Sequence, residues 1–252
     1  DPRVVIGRPV RFGDVQGVIG IKAVHLTTAA ERRTMPKTKD LYIDIGAASK
    51  AAAEDKVSLG DYGVFDSAVV EFGDGLIKAK AIDDRVGCAA LLKLIEDKPP
   101  IDTWFCFTVQ EEVGLRGAAS MAYALDPGFA MVLEGTTAAD LAEVEGGKAV
   151  CRIRGGVVLP FMDGATIYDA ELFELLRNAC DKRGIRWQTK TRVAGGTDAG
   201  RIHKSRAGVR VCAAAAPGRY IHSPSSVAAV ADCEAVLSAA RAFLEELGGD
   251  DE

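Results

Sequence analysis

From Lys78 onward the chain alternates segments of helical apolar spacing (85–96, 115–124, 169–183 and 227–247) with short segments that read as buried strands (103–109, 129–133, 186–193 and 209–215). Alternation on that scale predicts an α/β layer architecture, with buried strands covered by helices. The last helical segment carries Val230, Val236, Leu237, Ala240, Phe243 and Leu244 at helical spacing, which marks a core-facing stripe that closes the domain. Residues 4–71 follow a different grammar. Short β-like runs (15–21, 41–45 and 68–72) are broken by glycines, with one short helix expected at 49–55 and a polar, solvated loop at 31–40. The change of pattern at 72–79 predicts a β-rich module over 1–72 and an α/β domain over 73–252.

The net charge of -5 excludes the concentrated basic face that a nucleic acid or an anionic membrane would need, so a small-molecule or peptide partner is expected. Six cysteines without a C-x-x-C pair read as reduced residues of a cytoplasmic protein. No apolar run has the length of a membrane span, and residues 1–20 have glycines and charges where a signal peptide needs an apolar core. The chain opens at Asp1 directly into strand-like sequence, which leads us to expect further sequence before it.

Chemistry is expected at the strand ends, where ligands gather in open α/β sheets. Glu111 and Glu112 directly follow the 103–109 run, and consecutive residues there point different ways, so one carboxylate can bind a metal while its neighbour handles a proton. Three further clusters fall near strand ends: Asp83-Asp84-Arg85, Glu134-Gly135-Thr136-Thr137 and Arg219-Tyr220-Ile221-His222-Ser223-Pro224. Carboxylates with an imidazole suit zinc, cobalt or manganese, and a carboxylate bridging two ions roughly 3.5 to 4 Å apart is the usual way to build a two-metal hydrolytic site. Each cluster alone also has a plain reading, since Asp83 or Asp84 can cap the helix that follows. His25 and His203 read as structural residues.

The ordered motifs A-x-D-D-R-V-G (81–87), Q-E-E-V-G-L-R-G-A (110–118), L-E-G-T-T-A-A-D (133–140), G-G-T-D-A-G (195–200) and R-Y-I-H-S-P (219–224) resemble those of the tetrahedral aminopeptidases. These are the glutamyl aminopeptidase-like or endoglucanase-M-like co-catalytic metallopeptidases. The resemblance implies a mixed-sheet α/β catalytic domain with helices on both faces and, over residues 1–72, an inserted β-barrel-like dimerisation domain whose dimers assemble into a hollow dodecamer. It also implies Asp83 as a ligand bridging two divalent ions (zinc or cobalt, possibly manganese), Glu112 and Glu134 binding one ion each, His222 completing one of them and Glu111 as general base. Asp198, in G-G-T-D-A-G, is a candidate for positioning the peptide or a plain helix cap. The family's upstream His-x-Asp motif has no counterpart among His25, His203 and His222, so the resemblance implies a segment before Asp1. The leading expectation is a metal-dependent aminopeptidase acting on short peptides. The rival is a non-catalytic assembly subunit with an incomplete metal site. A polysaccharide hydrolase using Glu111 and Glu112 as acid and base fits poorly, because those carboxylates must flank the scissile bond.

Overall fold

A computed structural model describes residues 1–249. They divide into two compact units, one of residues 1–70, 78–81 and 222–226, the other of residues 71–77, 82–221 and 227 onward.

The first unit is built on a four-stranded antiparallel sheet of order β3-β2-β1-β4, from β1 (Pro9–Phe12), β2 (Val15–Ile21), β3 (Leu41–Asp44) and β4 (Val64–Phe65). Two short helices accompany it, α1 (Ala29–Arg33) and α2 (Lys50–Glu54). The first replaces part of the loop expected at 31–40. Its cause is local: Thr28 and Glu31 form a capping box, in which the Glu31 N–H donates to Thr28 Oγ1 at 3.1 Å and the Thr28 N–H to Glu31 Oε2 at 2.6 Å. Helix α2 forms where expected, and Ser49 Oγ accepts the Ala52 N–H at its start. Apolar side chains of this sheet sink little surface. Val10 and Ile19 are buried, whereas Val18, Tyr42, Ile43 and Val64 stay exposed.

The second unit contains the α/β layers. Its strands are β5 (Val70–Phe72), β6 (Leu76–Ala79), β7 (Phe129–Thr137), β8 (Val157–Val158), β9 (Trp187–Gln188), β10 (Arg210–Arg219) and β11 (Ser226–Ala229), of which residues 70, 78, 79 and 226 count with the first unit. They form a mixed sheet of order β5-β6-β11-β10-β8-β9, with β7 also on β10. The helices are α3 (Ile82–Asp97), α4 (Arg116–Leu125), α5 (Ala170–Lys182), α6 (Ala199–Ile202) and α7 (Val230–Gly248). Strand β10 is the spine, running parallel to β7 from Arg210↔Phe129 to Gly218↔Thr137 and antiparallel to β8 and β11. Its Val211 and Ala213 pack with Ala118 and Ala122 of α4 and with Ala199 and Ile202 of α6. The alternate residues Cys212 and Ala214 are buried as well, and α3, α5 and α7 all contact β10. A strand covered on both faces needs a continuous apolar run, which 211–216 supplies.

Three expectations are corrected. Residues 103–109 form no strand, and their side chains are not a core: Trp104 is 75% and Val109 67% exposed. The run has the composition of a strand but pairs with neither sheet among the described residues, and strand structure exists only where a ladder partner accepts the backbone. The expected strand at 186–193 shortens to β9, the two residues that pair with Val157 and Val158. The last helix begins at Val230 because residues 226–229 are taken up as β11.

Candidate metal centre

Asp83 and Asp84 stand at the head of α3 with non-helical backbone angles and are joined by a cis peptide bond. Asp84 does serve as a cap, its Oδ1 accepting the Gly87 N–H at 2.9 Å. Glu134 was expected at a strand end and instead lies inside β7, because the parallel register with β10 continues four pairs beyond Leu133↔Ala214. Its side chain is therefore buried rather than solvated. Gly135 makes the meeting of these two elements possible. A β-carbon on it would sit 2.7 Å from Asp83 Cβ, closer than real side chains come, so only glycine lets the head of α3 lie against β7.

The result is that ligand oxygens of Asp83, Asp84 and Glu134 lie within 4.8 Å of one another. Burial is the main force on their protonation. It pushes Asp84 up to about 8, with the charges of Asp83, Glu111 and Asp198 adding to the rise and the Gly87 N–H opposing it. Burial also raises Glu134, and Asp84 and Asp83 raise it further. Three crowded carboxylates that cannot all ionise alone are chemically suited to a cation, and an all-oxygen set suits a hard or borderline divalent ion. The residues present fit a metal.

Glu111 and Glu112 sit in a turn that follows the exposed 103–109 run. The turn is closed by the Leu115 N–H on the Glu111 carbonyl at 2.8 Å and by the Gly117 N–H on the Val109 carbonyl at 3.0 Å. Gly117 is required here, since a β-carbon would lie 2.5 Å from the Val109 carbonyl oxygen. Ligand oxygens of Glu112 and Asp83 come within 4.8 Å, and the Glu111 charge acts on both Asp84 and Glu134. The acidic doublet thus faces the carboxylate cluster although the strand expected to carry it does not form.

Asp198 is buried, and the plain cap reading for it fails: it makes no side-chain cap bond to α6. The Ala199 N–H is taken by Thr197 Oγ1 instead. Asp198 Oδ2 accepts the Thr108 hydroxyl, and Oδ1 is buried without a partner among the described residues. His222 is exposed in the turn after β10, with φ +59°, and belongs to the first unit. His203 bonds the Ala199 carbonyl through Nδ1 at 2.7 Å, and His25 is exposed in the single turn Val24–Leu26; neither belongs to the cluster. The member that sequence reasoning did not name as a ligand is Asp84, for which, as for Asp83, a helix cap was the plain reading. The acidic doublet Asp83-Asp84 was the available signal.

The structure superposes on an aminopeptidase from the archaeon Desulfurococcus kamchatkensis with a TM-score of 0.90 and 35% identity, covering 97% of this chain and 70% of that one. It also matches the TET1 peptidase of Pyrococcus horikoshii, described as able to assemble into a tetrahedron or a large octahedral shell (TM-score 0.79, 28% identity, 97% and 73% covered). In sequence it is 36% identical over 229 residues to a putative aminopeptidase of Acetivibrio thermocellus, covering 90% of this chain and 67% of the relative. Residues 1–238 match the model of the M42 glutamyl aminopeptidases, and the chain belongs to that family of peptide hydrolases. It spans about two thirds of the length of such relatives.

Proposed function

We propose that the protein is a metal-dependent aminopeptidase that removes residues singly from the amino terminus of short peptides. The observation that carries this reading is the cluster of half-buried Asp83 and Asp84 with buried Glu134, and the Glu111-Glu112 turn beside it. Asp83 would bridge two divalent ions, with Glu112 and Glu134 on one ion each and His222 as the nitrogen ligand. When bound, such ions (zinc or cobalt, with manganese a third fit) lower the pKa of the attacking water and polarise the scissile carbonyl.

The chain's own residues then divide the work. Glu111 takes the proton of the attacking water and returns it to the departing amine, a role that needs a carboxylate near the cluster but free of metal. Asp198 offers its buried, unpartnered Oδ1 to an N–H of the bound peptide. The Glu111→Gln variant is expected to keep its metal and to lose about 10²- to 10⁴-fold in turnover, the usual worth of a positioned general base. Elemental analysis of the wild type is expected to give two ions per chain, with hydrolysis abolished by a chelator. Turnover that survives in Glu111→Gln refutes the base, and fewer than two ions refutes the ligand set.

We assign assembly to the inserted domain over residues 1–72, read as β-barrel-like. Exposed Val18, Tyr42, Ile43 and Val64 on its sheet support this reading, as does the assembly described for the TET1 peptidase. Dimers building a dodecamer would give a particle about twelve times the chain mass by light scattering. Six cysteines, none in a disulfide, support a cytoplasmic setting.

A further inference from the structure

The run 103–109, which leads into the proposed base Glu111, has few attachments. It belongs to no strand, and among the described residues its backbone bonds the rest of the backbone through the Val109 carbonyl, which accepts the Gly117 N–H at 3.0 Å. Trp104, Phe107 and Val109 are exposed, so packing adds little hold. Beyond it, the Arg116 N–H on the Gln110 carbonyl at 3.2 Å and the Leu115 N–H on the Glu111 carbonyl at 2.8 Å close the turn locally. The turn then enters α4, whose Ala118 and Ala122 are buried. A turn anchored on its far side alone can pivot. On its near side stands one long-range bond: the hydroxyl of half-buried Thr108 donates to Asp198 Oδ2, ninety residues away.

Asp198 is itself held fast. Its carbonyl accepts the Arg201 and Ile202 N–H groups, each at 3.0 Å, at the start of α6. Ala199 and Ile202 of that helix lie in the buried cluster with Val211 and Ala213 of β10. Next to it, Thr197 Oγ1 accepts the Ala199 N–H at 3.3 Å and lies 3.1 Å from the Tyr168 hydroxyl, which donates to buried Asp163 Oδ2 at 2.7 Å. The Asp198 carboxylate is buried, where a hydrogen bond to a charged group is stronger than at the surface. Thr108 thus ties a poorly supported run to the spine of the sheet, and two residues, Val109 and Gln110, separate it from Glu111.

We propose that Thr108 is a positioning residue for the general base: by holding Asp198, its hydroxyl fixes the entry to the turn and so the place of the Glu111 carboxylate. The inference rests on the aminopeptidase reading, which gives Glu111 its role. One carboxylate then faces the bound peptide with Oδ1 and steadies the base with Oδ2.

Thr108→Val keeps the shape of the side chain and removes the donor, and Thr108→Ser keeps the donor and removes the methyl group. Thr108→Ala is read beside Thr108→Val, so that one donor-free variant decides if the other fails to fold. On Leu-Ala-Ala at saturating zinc or cobalt, kcat is expected to fall about ten- to hundredfold in the donor-free variants, the scale on which an ångström of misplacement acts, with KM little changed. Thr108→Ser is expected to recover most of the loss. Hydrogen exchange reads the tether without turnover: the amides of Leu115, Arg116 and Gly117 should exchange about tenfold faster in Thr108→Val, with those of 212–216 unchanged. An unchanged kcat overturns the proposal, as does a loss equal in Thr108→Val and Thr108→Ser. So does a loss confined to KM, which would give the bond to peptide binding, or one that added metal restores, which would give it to the ligand Glu112. A wild type that cleaves no peptide refutes the aminopeptidase reading, and the exchange rates still decide whether Thr108 holds the turn.

Discussion

Two apolar runs of the second unit, 103–109 and 209–215, look alike in sequence and end in opposite states. The second is the buried spine of the sheet, with partners along both edges. The first pairs with no strand among the described residues and exposes Trp104 and Val109. The lesson is that an apolar run confers the capacity for a strand, while pairing and burial are conferred by what lies beside it. Stability is thus concentrated around β10. The run that exposes its apolar side chains leads directly into Glu111 and Glu112.

That contrast can be broken or sharpened by experiment, with hydrogen exchange expected to show the widest gap. Amides of 212–216 should exchange only through global opening, at least about 10³-fold slower than those of 104–108; equal protection would mean that the first run is a strand in solution. Next, Phe243→Ala should cost about 3–5 kcal/mol in denaturant unfolding, since Phe243 is fully buried and meets the Phe129 ring edge-on at 6.3 Å. Asp232→Ala should cost about 2–3 kcal/mol, because its carboxylate accepts the Arg154 and Gly156 N–H groups and its removal strands both donors.

A smaller effect, about 1 kcal/mol, is expected for Asp169→Ala, which removes the cap that accepts the Leu172 N–H at 2.9 Å. The bidentate Arg210 partner, chiefly, holds Asp169 down at about 2 when folded. A depressed folded-state pKa contributes stability above the unfolded value near 4, and that share is lost as pH falls from about 4 towards 2. The wild type should therefore lose its advantage over Asp169→Ala across that interval in acid titrations of stability. Smallest of all, Trp104→Ala should change stability by less than about 0.5 kcal/mol; a large loss would show that the exposed run is packed after all.

The α/β alternation was legible because its major elements obey local rules. The helix expected at 169–183 appears as α5, capped by Asp169, and 209–215 became the core of β10. Asp83 and Glu134 were legible as an acidic pair near the sheet, and they do meet. Their geometry was not legible. Glu134 lies inside its strand because β7 and β10 stay in register beyond Leu133, and register is a property of two strands rather than one. Asp84 combines capping with membership of the cluster.

The absence of a side chain at Gly135 extends the influence of the sheet into the carboxylate cluster. Asp83 and Glu134 belong to segments more than fifty residues apart in sequence, yet Gly135 rests directly on Asp83, so the backbones that carry the two carboxylates are held close together. The span between the two carboxylates thereby inherits the stiffness of β7. The size of ion that the proposed centre would tolerate would then be governed in part by a residue that has no donor atom to offer it.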